Sequence, residues 1–207
     1  MCPPSEAFLP CQCDPCSLVI KLLCCYQSEQ TAGTLSHSVF SYNKMVHFTS
    51  LKTLTIEGSS LSSIPVLNYL PKLQKLFLNN NNITDVSPMA FASLTALEVL
   101  DIGLNRLETI NANTFYLSAK TVLVYNCINS IEEEAFSKEQ PAVLDISYNY
   151  LPDLEETIFT PILDTVMSSD FDGYINAEEN PLHCNDILWL QQYPTYYLYL
   201  FLPEPGC

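Results

Sequence analysis

Three kinds of side chain in this sequence carry chemistry by type and spacing: clustered thiols, a run of oxygen donors, and a few imidazoles. Of nine cysteines, six fall in the first 25 residues (Cys2, Cys11, Cys13, Cys16, Cys24 and Cys25). Cys184 and Cys207 lie near the other end, and Cys127 stands alone. Cys11-x-Cys13-x-x-Cys16 with Cys24-Cys25 could supply four thiolates for a zinc ion. No regular pair of CxxC motifs is present, and thiols gathered at both ends of a chain favour disulfide staples formed in an oxidising compartment. The oxygen donors lie in Ser168–Glu179, which fits much of a calcium loop: donors at positions 1, 3, 5, 9 and 12, Gly173 at 6 and Ile175 at 8. Asp170, Asp172 and Glu179 would be the acidic ligands. Against calcium, Ser168 stands where Asp is expected, and Pro161 and Pro181 are expected to break the helices that should flank the loop. Ile175 and Ala177 are also claimed by a repeat strand. His37, His47 and His183 are the only histidines, and none lies in HExxH or beside a recognisable nucleophile. No catalytic residue is assigned, and no cofactor is expected.

Composition narrows the classes further. Eight Lys+Arg against 23 Asp+Glu give a formal charge of −15. Such a surface repels a nucleic-acid backbone and an anionic membrane, since both are bound through Lys and Arg. Five glycines form none of the phosphate-cradling or nucleophile-elbow motifs. Mean hydropathy of +0.12 leaves ample material for a core. The most apolar stretch, Ile187–Leu202, is interrupted by Gln191, Gln192 and Pro194 and falls short of a membrane span. Met1-Cys2-Pro3-Pro4 has no leader character, so an exported protein would have lost its signal peptide already.

What positions these residues is a repeat. L-x-x-L-x-L-x-x-N-x-L recurs as Leu51-Leu54-Ile56-Ser59-Leu61, Leu73-Leu76-Leu78-Asn81-Ile83 and Leu97-Leu100-Ile102-Asn105-Leu107. It loosens to Ala119-Val122-Val124-Cys127, returns as Leu144-Ile146-Asn149-Leu151, and closes as Ile175-Ala177-Asn180-Leu182. A second register runs alongside: Val86, Ile110, Ile131 and Leu154 each precede a phenylalanine by five residues, at Phe91, Phe115, Phe136 and Phe159. Two interlocked periods of 20 to 30 residues are the mark of a solenoid, here the leucine-rich repeat. Each L-x-L is a short strand, and stacked coils pair these strands in parallel. The rung residues Ser59, Asn81, Asn105, Cys127, Asn149 and Asn180 turn inward to satisfy buried backbone groups, and the phenylalanines stack under the convex side. The expected fold is a mainly β α/β solenoid: a right-handed coil with a curved parallel sheet and disulfide-stapled caps. The N-terminal cap and lead-in take residues 1–46, about six coils take 47–182, and the C-terminal cap takes 183–207.

An open stack needs its ends covered. Cys2-Pro3-Pro4, Pro10-Cys11-x-Cys13 and Cys24 resemble the four-cysteine N-terminal cap of extracellular leucine-rich repeat proteins. That resemblance implies Cys2–Cys13 and Cys11–Cys24 bonds, with Cys16 and Cys25 as an extra pair. Asn180-Pro181-Leu182-His183-Cys184 with Trp189-Leu190 and Cys207 resembles the matching C-terminal cap, and Cys184–Cys207 would close it. Cys127 is left as a buried thiol. Together with Asn79-Asn80-Asn81-Asn82-Ile83 and Asp186-Ile187-Leu188-Trp189-Leu190, these segments also resemble a group of secreted arthropod proteins. They are the non-catalytic subunit of oplophorus-luciferin monooxygenase and its relatives. The resemblance implies a secreted accessory or binding protein without chemistry of its own.

Residues between the inward leucines face the concave side, and they form the expected binding surface. Phe77, Val99, Asp101, Leu123, Tyr125, Asp145, Tyr148 and Tyr174 are its members, with Leu104, Glu57 and Glu178 among them. Exposed aromatics interleaved with acids fit a protein partner of basic or mixed surface. Asn82-Ile83-Thr84 is the one glycosylation sequon, with Asn82 between two inward residues and so outward-facing. Three readings follow: a secreted, non-enzymatic accessory subunit or matrix component, a receptor ectodomain, or a calcium-binding structural protein.

Overall fold

The alternation of an inward apolar residue with more exposed neighbours builds strands of two to five residues, each followed by a turn into the next coil. The structure, a computed structural model, describes residues 49–59, 61–136, 140–169 and 173–203, together with the backbone of β1 (Val19–Leu23). The main-sheet strands are β1, β2 (Thr53–Glu57), β4 (Lys75–Phe77), β6 (Val99–Asp101), β8 (Lys120–Val122), β10 (Val143–Asp145), β11 (Tyr174–Asn176) and β12 (Leu200–Phe201). These eight lie side by side in that order, all parallel. Register is fixed by the central inward residue, so that Leu54, Leu76, Leu100, Thr121, Leu144, Ile175 and Leu200 form one buried row. A one-residue slip would turn every such side chain to solvent. On the convex side, β3 (Ser63–Ile64) pairs with β5 (Asp85–Val86), and β7 (Thr109–Ile110) pairs with β9 (Ser130–Ile131). The fold is therefore the repeat solenoid that the sequence pattern implies.

Under these short strands the phenylalanines stack as expected. Phe91 and Phe115 lie 5.9 Å apart between ring centroids, Phe115 and Phe136 5.5 Å, both nearly parallel and buried. Phe159 is buried as well.

The ladder is regular and corrects the sequence in one coil. Asn81, Asn105, Asn149 and Asn180 are all buried, each donating through Nδ2 to a carbonyl of its own coil and one of the coil before. The fourth rung is Asn126, not Cys127. Asn126 Oδ1 accepts the Leu107 N–H at 3.1 Å, and its Nδ2 donates to the Ile102 and Leu123 carbonyls at 3.0 Å each. Ala119 is buried as expected, but the rest of the coil moves by one residue: Thr121, Leu123 and Ile128 point inward and are fully buried, while Val122 and Val124 are half-exposed. Leu123 therefore belongs to the core and not to the concave surface. Cys127 is a half-buried free thiol beside the rung. Ser59 is a support for the first rung, its N–H and hydroxyl both donating to Asn81 Oδ1 at 3.1 and 2.6 Å.

The long step between Asn149 and Asn180 holds a helix, α1 (Glu156–Ser168), which buries Ile158, Phe159, Ile162, Leu163 and Val166. Pro161 lies inside α1 instead of ending it. Proline lacks only its own N–H and crowds the carbonyl four residues earlier, and burial of one apolar face outweighs that local cost. The C-terminal end of the stack is covered by two 3-10 segments, Cys184–Gln192 and Pro194–Leu198. Their aromatics reach α1 and the chain just before it. Trp189 Nε1 donates to the Leu154 carbonyl at 2.7 Å, and the Tyr196 hydroxyl donates to Asp164 at 2.7 Å. Tyr193 stacks on Tyr196 at 5.0 Å. Cys184 is disulfide-bonded. The cysteines at 2, 11, 13, 16, 24, 25 and 207 lie outside the described residues, and so do Asp170 and Asp172 of the proposed calcium loop.

Candidate binding surface

The concave surface is built by the two positions flanking each buried strand residue, most of them half-exposed, with Thr55 buried and Lys75, Lys120 and Phe201 exposed. The first row runs Thr53, Lys75, Val99, Lys120, Val143, Tyr174; the second runs Thr55, Phe77, Asp101, Val122, Asp145, Asn176, Phe201. Phe77, Val99, Asp101, Asp145 and Tyr174 thus fall on this face and are half-exposed. Tyr174 meets Phe201 edge-on at 5.7 Å.

The acids in the second row also shape the turns. Asp101 Oδ1 accepts the Gly103 N–H at 2.8 Å, and Asp145 Oδ1 accepts the Ser147 N–H at 3.1 Å and its hydroxyl at 2.7 Å. Asn176 does the same for the Glu178 N–H at 3.1 Å. Burial, opposed by the Gly103 N–H and reinforced by the Asp145 charge, raises the Asp101 pKa above the ordinary aspartate value.

A third feature lies at the rim where each strand ends. The residue before every rung, and Gly58 before Ser59, has a positive φ: Gly58 (59°), Asn80 (56°), Leu104 (54°), Tyr125 (55°), Tyr148 (54°) and Glu179 (56°). This conformation suits glycine and asparagine, whereas a bulky side chain there costs on the order of 1–2 kcal/mol. Leu104, Tyr125 and Tyr148 nevertheless occupy it and are 52, 49 and 43% exposed. Backbone bonds hold them in line, since Leu104 N–H donates to Val124 O, Tyr125 N–H to Ser147 O and Tyr148 N–H to Glu178 O. The two tyrosine rings stack at 4.3 Å. The Tyr148 pKa is raised, first by the Tyr125 phenol and then by Glu179.

The second half of the calcium-loop pattern is committed elsewhere. Tyr174–Asn176 is a strand of the main sheet, with Ile175 and Ala177 buried, and Glu179 is one of the rim residues. Among the described residues no group of three or more His, Cys, Asp or Glu is placed to hold a metal ion. Of the motifs in the sequence, Asn82 and Thr84 of the sequon are both exposed.

A family model described as leucine rich repeat matches residues 71–121, and one described as two copies of leucine rich repeats matches 49–90. Residues 49–121 thus match leucine-rich repeats, and the coils stacked on them share that architecture. The chain is similar to osteomodulin of Bos taurus, 33% identical over 104 residues, which cover 49% of this chain and 24% of that one. It is 35% identical over 72 residues to the platelet glycoprotein Ib alpha chain of Mus musculus (35% of this chain, 10% of the relative). Reticulon-4 receptor-like 2 of Rattus norvegicus is 32% identical over 96 residues, 45% of this chain and 23% of its own length. The chain thus spans between a tenth and a quarter of the length of the curated relatives it matches.

Proposed function

We propose that this protein is an extracellular, non-enzymatic binding module that holds another protein against its concave face and the adjoining rim. The observation that carries the reading is the exposed row Leu104, Tyr125 and Tyr148. Apolar bulk is retained there in a backbone conformation that glycine or asparagine adopts at lower cost, so folding alone does not account for these residues. Phe77, Val99, Asp101, Asp145 and Tyr174 would extend the same surface, and the charge of −15 favours a partner of basic or mixed character.

Secretion as an accessory subunit or matrix component is the first form of this proposal. The resemblance to the luciferin monooxygenase subunit group and the terminal clustering of cysteines support it. Cys2–Cys13, Cys11–Cys24, Cys16–Cys25 and Cys184–Cys207 would be the bonds, and Asn82 the glycan acceptor. A receptor ectodomain is the second form, favoured by similarity to a platelet glycoprotein chain and a receptor-like protein. No helix among the described residues is long and apolar enough to cross a membrane.

The test is affinity capture from native extracellular fluid, with the intact chain and a Tyr125→Ser/Tyr148→Ser variant as baits. Proteins retained by the first and lost by the second, with both baits equally stable, support the reading. A retained set that does not change refutes it.

A further inference from the structure

Within the concave-face reading, on which this inference rests, the surroundings of the tyrosine pair specify what it touches. We propose that the stacked rings of Tyr125 and Tyr148, with the carboxylates of Glu178 and Glu179 beside them, receive an arginine side chain of a protein partner.

The argument begins with the order along the rim. Leu104, Tyr125, Tyr148 and Glu179 occupy the same position in four successive coils, so Tyr148 has a tyrosine on one side and an acid-bearing coil on the other. That coil presents two consecutive exposed glutamates, and the Tyr148 N–H donates to the backbone of the first, Glu178 O, at 3.0 Å. Both carboxylates make themselves felt at the Tyr148 phenol and favour its protonated form.

The coils of Tyr148 and of Glu178–Glu179 supply no lysine or arginine, and Lys120, on the coil of Tyr125, sits at the far end of its strand. Residues 139–207 contain neither lysine nor arginine. An anionic ligand is repelled there, and a purely apolar one would strip water from two carboxylates without replacing their hydrogen bonds. A cation over a tyrosine face gains from the ring quadrupole. Arginine fits better than lysine because its planar guanidinium can lie on a ring while its edge donates to a carboxylate. The chemistry needed is therefore flat, positively charged and rich in N–H donors.

The experiment titrates the full-length chain with N-acetyl-arginine amide and, separately, with the neutral isostere N-acetyl-citrulline amide. The read-out is the ring proton resonances of the tyrosines. The proposal expects the arginine derivative to shift Tyr125 and Tyr148 and the citrulline derivative to leave them in place. Tyr148→Asn should weaken the arginine response, followed on Tyr125, by about 2- to 30-fold. Asparagine at this position keeps the fold, since Asn80 already adopts the same φ. Glu178→Gln with Glu179→Gln should weaken it as well. Equal responses to the two probes, or an undiminished response in the Tyr148→Asn variant, would overturn the proposal. Arginine failure alongside tyrosine-dependent partner capture discards the arginine anchor alone, whereas capture that ignores both tyrosines discards the concave-face reading itself.

Discussion

Replacing Asn126 by alanine tests the ladder at the coil where sequence and structure part. Three hydrogen bonds go: Oδ1 from the Leu107 N–H, and Nδ2 to the carbonyls of Ile102 and Leu123. The carbonyls keep other donors, because Asn105 Nδ2 reaches Ile102 O at 3.0 Å and Asn149 Nδ2 reaches Leu123 O at 3.1 Å. The Leu107 N–H loses the acceptor that Asn126 gives it. An orphaned buried donor costs about 1–3 kcal/mol, and two net bonds add roughly 0.5–1.5 kcal/mol each, the lower end applying where the acceptor keeps a partner. The sum is about 2–4 kcal/mol, or a fall in Tm of roughly 5–15 °C for a chain of this size. Because solenoid stability is carried by contacts between neighbouring coils, loss of a mid-stack rung should also broaden the urea transition. Cys127→Ala, in the half-buried neighbour, should stay within about 1 kcal/mol of the parent. Urea and thermal unfolding of the two variants side by side decide the matter. Equal destabilisation by both, or a greater loss from Cys127→Ala, would refute the assigned register.

Phe115→Ala removes a fully buried ring stacked on both sides and should cost about 3–5 kcal/mol in the same unfolding assay. Asp101→Asn keeps an acceptor for the Gly103 N–H, as Asn176 does for Glu178, and removes an ionised group that burial and Asp145 disfavour. With a raised folded pKa, Asp101 costs stability when ionised, so the variant should be more stable than the parent at pH 7. The difference should vanish below the ordinary carboxylate value of 3.8. The Tyr196 hydroxyl is pushed up to about 12, by burial first and by its bond to Asp164 second. The folded chain holds that proton after unfolded tyrosine begins to lose it, so this contribution is complete below pH 10 and declines as pH rises toward 12. Tyr196→Phe should flatten the decline in unfolding midpoint across that window. Leu104→Gly should leave stability unchanged or raise it by up to about 1–2 kcal/mol while weakening partner capture.

Much of the solenoid was legible because its signals are periodic and local. Leucine at the buried strand position, asparagine three to five residues later and phenylalanine in the second register each report one fixed place in a coil. The fourth coil misled for a physical reason. Thr121 fills the slot that Leu76 and Leu100 fill elsewhere, and its hydroxyl is satisfied within the chain by the Ala119 carbonyl at 3.0 Å. A polar residue in the core slot let Val122 and Val124 pass for the inward pair, although Asn126 carried the right signal one residue earlier. The helix Glu156–Ser168 was hidden by Pro161, whose local penalty is outweighed by tertiary burial. β1 and β12 lie outside the repeat pattern and pair only because a sheet edge is open to them. On the concave surface, the places of Phe77, Val99, Asp101, Asp145 and Tyr174 follow from alternation alone. The positive φ of Leu104, Tyr125 and Tyr148 does not, since backbone sign is invisible in residue type unless glycine or asparagine announces it.

The convex strands have a geometric consequence. Where both sides of a coil are extended chain, each turn is about 4.8 Å thick front and back, and the stack advances almost straight. Where α1 replaces an extended segment, the outer side must widen toward the 10–12 Å diameter of a helix. The coil between Asn149 and Asn180 is therefore the thickest on its outer side and demands more bend than its neighbours.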